Sequence, residues 1–276
     1  MNGPLLIDDA AQFEAVLDEL RGLLFDFTTI GVSAMLVGGQ VLAVEGKAAG
    51  GNGVIEVRTP TDIAVQRGFS MEPDLLIDVD AAASRVDAVV DILKARGFKR
   101  IKTYRWAKQS PTGEVLFDLF MPPDADEAND PAGFTRLPMG DVALLRPRMI
   151  QVHLKSGILN VAVPDVVGFL AMKLEAKLRL RPTEAKDSFD VYAYVAMRGT
   201  DVVNSGLKRD AREGPRIVAH LRTLFGDIDA PGVADVLAYA GSLGDHERAL
   251  LARATVDLFE AVSMEPTLGS PSSASR

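Results

Sequence analysis

The sequence has no cysteine, one tryptophan, four tyrosines and three histidines. Without cysteine there are no disulfides and no thiolate metal sites, although that absence alone does not fix the compartment. His153, His220 and His246 stand far apart and share no ligand spacing, so each reads as structural or exposed. No Walker-type glycine loop and no Ser-His-Asp ordering is present. No apolar run reaches the ~18 residues a membrane span needs. The N-terminal MNGPLLIDDAAQ lacks the charged and apolar regions of a signal peptide. The expectation is a cytoplasmic protein with no membrane partner. A basic excess is missing too. The net charge of −8 argues against the broad positive footprint of a duplex binder and leaves room only for a local basic groove.

What is present is ample material for a core: 276 residues, 47% hydrophobic and 25% charged, enough for one large domain or two ordinary ones. Residues 8–30 carry Phe13, Val16, Leu17, Leu20, Leu24 and Phe27 at helical spacing. SAMLVGG (33–39) reads as a short buried strand ending in a glycine pair, and QVLAVEGKAA as the helix after it. Residues 53–65 have strand character interrupted by Pro60. AASRVDAVVDILKARGF predicts a helix with Val86, Val89, Val90 and Leu93 inward and Gly97 as its stop. KRIKTYRWAK and GEVLFDLFMPP predict two strands around a turn at 111–113, and residues 122–140 a loop. QVHLKSGILNVAVP (151–164) predicts a hairpin. From Asp165 the pattern turns helical, with one helix over 165–181, a second over KDSFDVYAYVAMRG and two or three more to about residue 263. The Ser/Pro-rich end reads as a disordered tail. The fold class is therefore α/β (α+β): an α/β domain over 1–164, a helical domain over 165–265, and a tail over 266–276.

One stretch stands out. In RGFSMEPDLLIDVD (67–80), Met71, Pro73, Leu75, Ile77 and Val79 alternate with Glu72, Asp74, Asp78 and Asp80. A strand sends alternate side chains to opposite faces, so one edge would gather four carboxylates. Glu72 and Asp74 would project together. Asp118, set in the apolar VLFDLF, would be costly unpaired and is the natural third acid. Three such carboxylates can hold one or two divalent cations, which turn their mutual repulsion into binding. Asp78 and Asp80 read more simply as a solvated strand end, with Asp80 able to cap the next helix. Gly38 and Gly39 lead straight into a helix, where backbone amides can meet a phosphate; a plain tight turn is the equal alternative. Lys173, Lys177 and Arg181 recur at four-residue spacing on one predicted helix face, either a solvated stripe or a phosphate contact. Tyr104 and Trp106 flank Arg105; base stacking is conceivable there, and core packing the simpler reading.

Three pieces of this sequence together resemble the nucleotidyltransferase superfamily that includes DNA polymerase β, and most closely its AbiEii-type toxin branch. MLVGGQVLA matches the strand, glycine pair and helix that open the family's domain. SMEPDLLIDV matches its Ser/Thr-x-Asp-x-Asp strand, with Glu72 where the first Asp usually stands. FLAMKLEAKLRLRPTEAKDSFDVYAYV matches a helix lysine followed by Lys-Asp-x-x-Asp. The three cover roughly residues 30–200, and the last is the most distinctive.

The resemblance implies a mixed sheet with flanking helices, followed by a helical domain, and transfer of a nucleoside monophosphate from a nucleoside triphosphate to an acceptor hydroxyl. It implies Mg²⁺ or Mn²⁺ held by Glu72, Asp74 and Asp118, and nucleotide bound by Gly38, Gly39, Ser70, Lys173 and Asp187, the last able instead to cap the next helix, pair with a lysine or orient the substrate. A tRNA or protein acceptor and a cognate antitoxin partner follow from the toxin branch. Glu72 for Asp, the intervening Pro73 and a long spacing from Gly39 are departures. A rival alignment takes Asp62 in RTPTDIAV as the first acid, at the loss of the second, which would be Ala64. Two other functions stay open: a catalytically silent relative that binds nucleotide or partner, and a nucleotidyltransferase for an antibiotic or sugar. A basic rim would favour RNA, an acidic cleft a cationic small molecule, and a blocked pocket the silent relative.

Overall fold

The computed structural model describes residues 7–82, 85–126 and 133–262. Helix α1 (Ile7–Thr29) buries Phe13, Val16, Leu17, Leu20 and Phe27, the apolar face its spacing predicts. Strand β1 (Ala34–Val37) runs into Gly38, and α2 (Gln40–Ala48) begins two residues later. The strand character of residues 53–65 and its break at Pro60 are the start of a hairpin. β2 (Ile55–Arg58) pairs with β3 (Ala64–Gly68) around a turn that begins at Thr59. β4 (Asp74–Ile77) and α3 (Val86–Ala95) follow. Gly97 ends α3 at a φ of 86°, a left-handed position that suits glycine. β5 (Lys99–Arg100), β6 (Arg105–Ser110) and β7 (Gly113–Met121) come next. The predicted loop then holds a short β8 (Thr135–Arg136), while residues 127–132 lie outside the described residues. α4 (Gly140–Leu144), β9 (Pro147–Leu154) and β10 (Gly157–Pro164) complete the first half.

The main sheet has the order β5-β6-β7-β4-β1-β10-β9, with β8 beside β7. β4 lies antiparallel to β1 and parallel to β7, and β1 is parallel to β10. The fold is thus of the mixed α/β, α+β class. The acidic strand is shorter than its alternation predicts: it spans the four residues of β4 rather than all of 71–80. Pro73 has no N–H to donate, so the ladder cannot run back through it. Its carbonyl still accepts from the Asp118 amide at 3.0 Å. At the other end Asp78 turns to accept from the Ala81 amide at 3.0 Å. Leu76, on the polar side of the alternation, is fully buried, because both faces of this central strand are covered.

The second half begins with α5 (Val166–Glu175), capped by Asp165, whose side chain accepts from the Gly168 amide. The helix expected over 165–181 does run on to Leu180, but its last turn is not α-helical. Residues Ala176–Leu180 make a π-helical turn, and α6 (Ala185–Arg198) starts after a short connection. Four further helices follow rather than two or three: α7 (Thr200–Lys208), α8 (Glu213–Phe225), α9 (Pro231–Leu237) and α10 (Asp245–Glu260). The change from strand to helix falls between Pro164 and Val166. One apolar cluster nonetheless runs through both halves, from Phe13 to Val262, so the helices pack directly on the sheet. The predicted tail, 266–276, lies outside the described residues. Among the described residues no helix is long and apolar enough to cross a membrane.

Candidate functional site

β1, β4 and β7 meet at one end of the sheet, where a cleft of about 670 Å³ opens between the sheet and helices α5 and α6. That volume suits a nucleotide-sized ligand. Asp74 opens β4 and stands in register with Asp118 on the parallel β7, so both carboxylates reach the cleft floor side by side. Asp118 is 4% exposed. Asp74 is half-buried, and burial together with the Asp118 charge pushes its pKa up to about 7, against the pull of Lys173 and Lys186. The glycine turn sits against this acid. Gly38 has a φ of 72°, and a methyl group there would collide with the Asp74 carboxylate. Gly39 leaves no room for one either, because the Arg67 guanidinium packs on it. Among the described residues no side chain caps the start of α2, so its first amides are open to a ligand.

Glu72, Asp74, Asp118, Gly38, Gly39, Ser70 and Lys173 all line this one cleft; Asp187 does not. Glu72 is not beside Asp74 on a strand face. It precedes β4, is 47% exposed at the side chain, and takes a 2.6 Å hydrogen bond from Arg105 Nη2. The same guanidinium donates to both Asp118 oxygens, from Nε at 2.7 Å and Nη2 at 2.8 Å. That hydrogen bond raises the Arg105 pKa further. Asp62, the rival first acid, lies in the β2–β3 turn at 86% side-chain exposure, paired with Arg58 and outside the cleft. Asp80 accepts from the Asp126 amide rather than capping α3.

Lys173, Lys177 and Arg181 do not form a solvated stripe. The π-helical turn breaks their spacing, and the two lysines are buried in ion pairs. Lys173 Nζ lies 2.5 Å from Asp190 and 3.3 Å from Asp187; Lys177 Nζ lies 2.6 Å from Asp235. Arg181 reaches Asp187 at 3.0 Å, and Arg67 pairs with Asp190. Burial opposes charge on Asp190, but Lys173 and Arg67 outweigh it and hold the carboxyl below its usual range. Asp187, fully buried, therefore fixes Lys173 from behind. Lys186 is the cleft cation with no carboxylate, carbonyl or ring partner among the described residues, and its charge acts on Asp74.

Among the described residues lining the cleft are six basic side chains and four acidic ones, a positive surplus in a chain of net charge −8. Trp106 is core, 2% exposed, whereas Tyr104 lines the cleft and stacks on Phe120 at 5.9 Å. His153, His220 and His246 are all absent from it. Sequence reasoning passed over Arg105 and Arg67. Arg105 had a readable signal: counting back from the turn, where Ser110 pairs with Gly113, sets Arg105 opposite Asp118.

Among the described residues no three acids or histidines group as a complete ligand set. Mg²⁺ asks for less than that, since it is commonly held by one or two carboxylates with waters and substrate phosphates. Asp74 and Asp118, in register on adjacent strands, fit that donor set. Glu72 shares Arg105 Nη2 with Asp118, at 2.6 and 2.8 Å, so the arginine lies between it and the pair. No protein-family model matches this chain, and no curated protein matches it either.

Proposed function

We propose that the chain is a Mg²⁺-dependent nucleotidyltransferase that moves a nucleoside monophosphate from a nucleoside triphosphate to an acceptor hydroxyl. The observation that carries this reading is the pairing of Asp74 and Asp118 on adjacent parallel strands, against the Gly38 turn, under a net basic cleft. A bound Mg²⁺ would offset the charge that gathers where phosphate oxygens meet the two carboxylates. Asp74 and Asp118 would hold it. The amides at Gly38, Gly39 and the start of α2 take phosphate oxygens, with Ser70 beside them. Lys186, without a partner among the described residues, supplies the charge expected of Lys173, while Lys173 and Asp187 stiffen the wall. The attacking hydroxyl oxygen bonds to the α-phosphorus, the bond from that phosphorus to its bridging oxygen breaks, and pyrophosphate leaves. The hydroxyl proton passes to a carboxylate of the Asp74–Asp118 pair.

The basic surplus favours a phosphate-bearing ligand over a cationic antibiotic. A tRNA or protein acceptor and a cognate antitoxin rest on the sequence resemblance alone. One observation favours a second reading, the catalytically silent binder: Arg105 sits on both oxygens of Asp118. Thermal unfolding with nucleoside triphosphate, with and without Mg²⁺, tests the binding half of the proposal. The melting temperature should rise most with both present, and Asp74→Asn should remove the Mg²⁺-dependent part. An unchanged response in that variant would take the carboxylates out of the site.

A further inference from the structure

Arg105 and a divalent cation compete for the same oxygens. The guanidinium covers both oxygens of Asp118 and one of Glu72, with 18% of its own side chain exposed and 5% of that of Asp118. These two carboxylates are its side-chain hydrogen-bond partners among the described residues. A doubly charged ion brought onto Asp118 with Arg105 in place would face a like charge at close range in a poorly screened site.

We propose that Arg105 is a phosphate clamp that stands on Asp118 until a triphosphate arrives. The inference rests on the nucleotide reading above. A guanidinium fork fits two phosphate oxygens as well as two carboxylate oxygens, so the arginine can exchange one for the other. Glu72 makes the exchange possible. It is 47% exposed at the cleft rim, so it can follow the arginine and keep it paired as it turns away. Asp118, left by one positive charge, is met by the cation that accompanies the triphosphate. No buried charge is stranded at either stage.

This arrangement makes the two ligands cooperative. Cation alone must displace the arginine without compensation, whereas triphosphate draws the arginine off and exposes the carboxylate. Removing Arg105 should therefore change the two affinities in opposite directions, which a purely structural salt bridge would not do.

The test measures binding, not turnover. Mn²⁺ alone is titrated by the loss of its free-ion paramagnetic resonance signal, and a cation-free nucleoside triphosphate by calorimetry. In Arg105→Gln, Mn²⁺ should bind at least about tenfold tighter than in the wild type and triphosphate at least about tenfold weaker, the fold-change of one lost charge-assisted contact. If near-ultraviolet circular dichroism shows that this variant does not fold, Arg105→Lys keeps a charge against Asp118 without the fork. It should shift both affinities in the same directions, by roughly threefold each. A folded variant that binds Mn²⁺ no tighter, or triphosphate no weaker, overturns the clamp while leaving the nucleotide reading intact. A wild type that binds neither ligand overturns both.

Discussion

Asp74 is the residue whose chemistry depends most on its surroundings. Burial and Asp118 place its folded pKa at about 7, above the ~3.9 of an exposed aspartate. Between about pH 4 and 7 the folded protein therefore holds a proton that the unfolded chain gives up, and stability falls as pH rises through that window. Above pH 7 the loss is complete. In divalent-free buffer, Asp74→Asn should be more stable than the wild type at pH 8, by about 1–3 kcal/mol after allowing for water in the open cleft. At pH 4 the gain should vanish. Urea unfolding at the two pH values measures it, and an equal effect at both would refute the raised pKa. Gly38 makes a second case. Gly38→Ala meets both a left-handed backbone and the Asp74 carboxylate, so a loss of about 1–3 kcal/mol and weaker triphosphate binding are expected. An alanine variant with unchanged melting temperature and affinity would show that the turn is slack.

The junction of α5 and α6 carries the next scale. Lys173 ties α5 to Asp187 and Asp190 of α6, and Arg67 brings β3 into the same buried network. Lys173→Met keeps most of the stem but leaves two buried carboxylates short of one cation. A loss of about 2–4 kcal/mol in urea, with an unchanged slope, is expected. A defect confined to triphosphate affinity would return Lys173 to the ligand. Elements with strong local signals were legible in the sequence: the apolar face of α1, the glycine pair before α2, and the β9–β10 hairpin. Others were decided by partners remote in the chain. The alternation in 67–80 looks like one long strand, but Pro73 cannot donate to the ladder and Asp78 prefers a turn. The spacing of Lys173, Lys177 and Arg181 looks like a polar stripe because helical periodicity does not register Asp187, Asp190 and Asp235. Each of those carboxylates lies beyond the helix it pairs with.

For the whole molecule, the acids of the candidate site were readable by type but not by alliance. Glu72, Asp74 and Asp118 line one cleft, but Arg105 sits on Glu72 and Asp118, and only the fold brings α6 close enough for Lys186 to act on Asp74. A chain of net charge −8 that concentrates positive charge in one cleft is suited to drawing in an anion. Binding alone would leave catalysis and silence equally possible. The most direct test is to incubate the protein with each of the four nucleoside triphosphates, labelled at the α-phosphorus, with Mg²⁺ and with RNA or protein acceptors. The wild type should pass label to an acceptor from at least one of them, and Asp74→Asn and Asp118→Asn should lose that transfer by on the order of 10²-fold or more. Bound nucleotide with no label moved to any acceptor would contradict the account and leave a binding protein in its place.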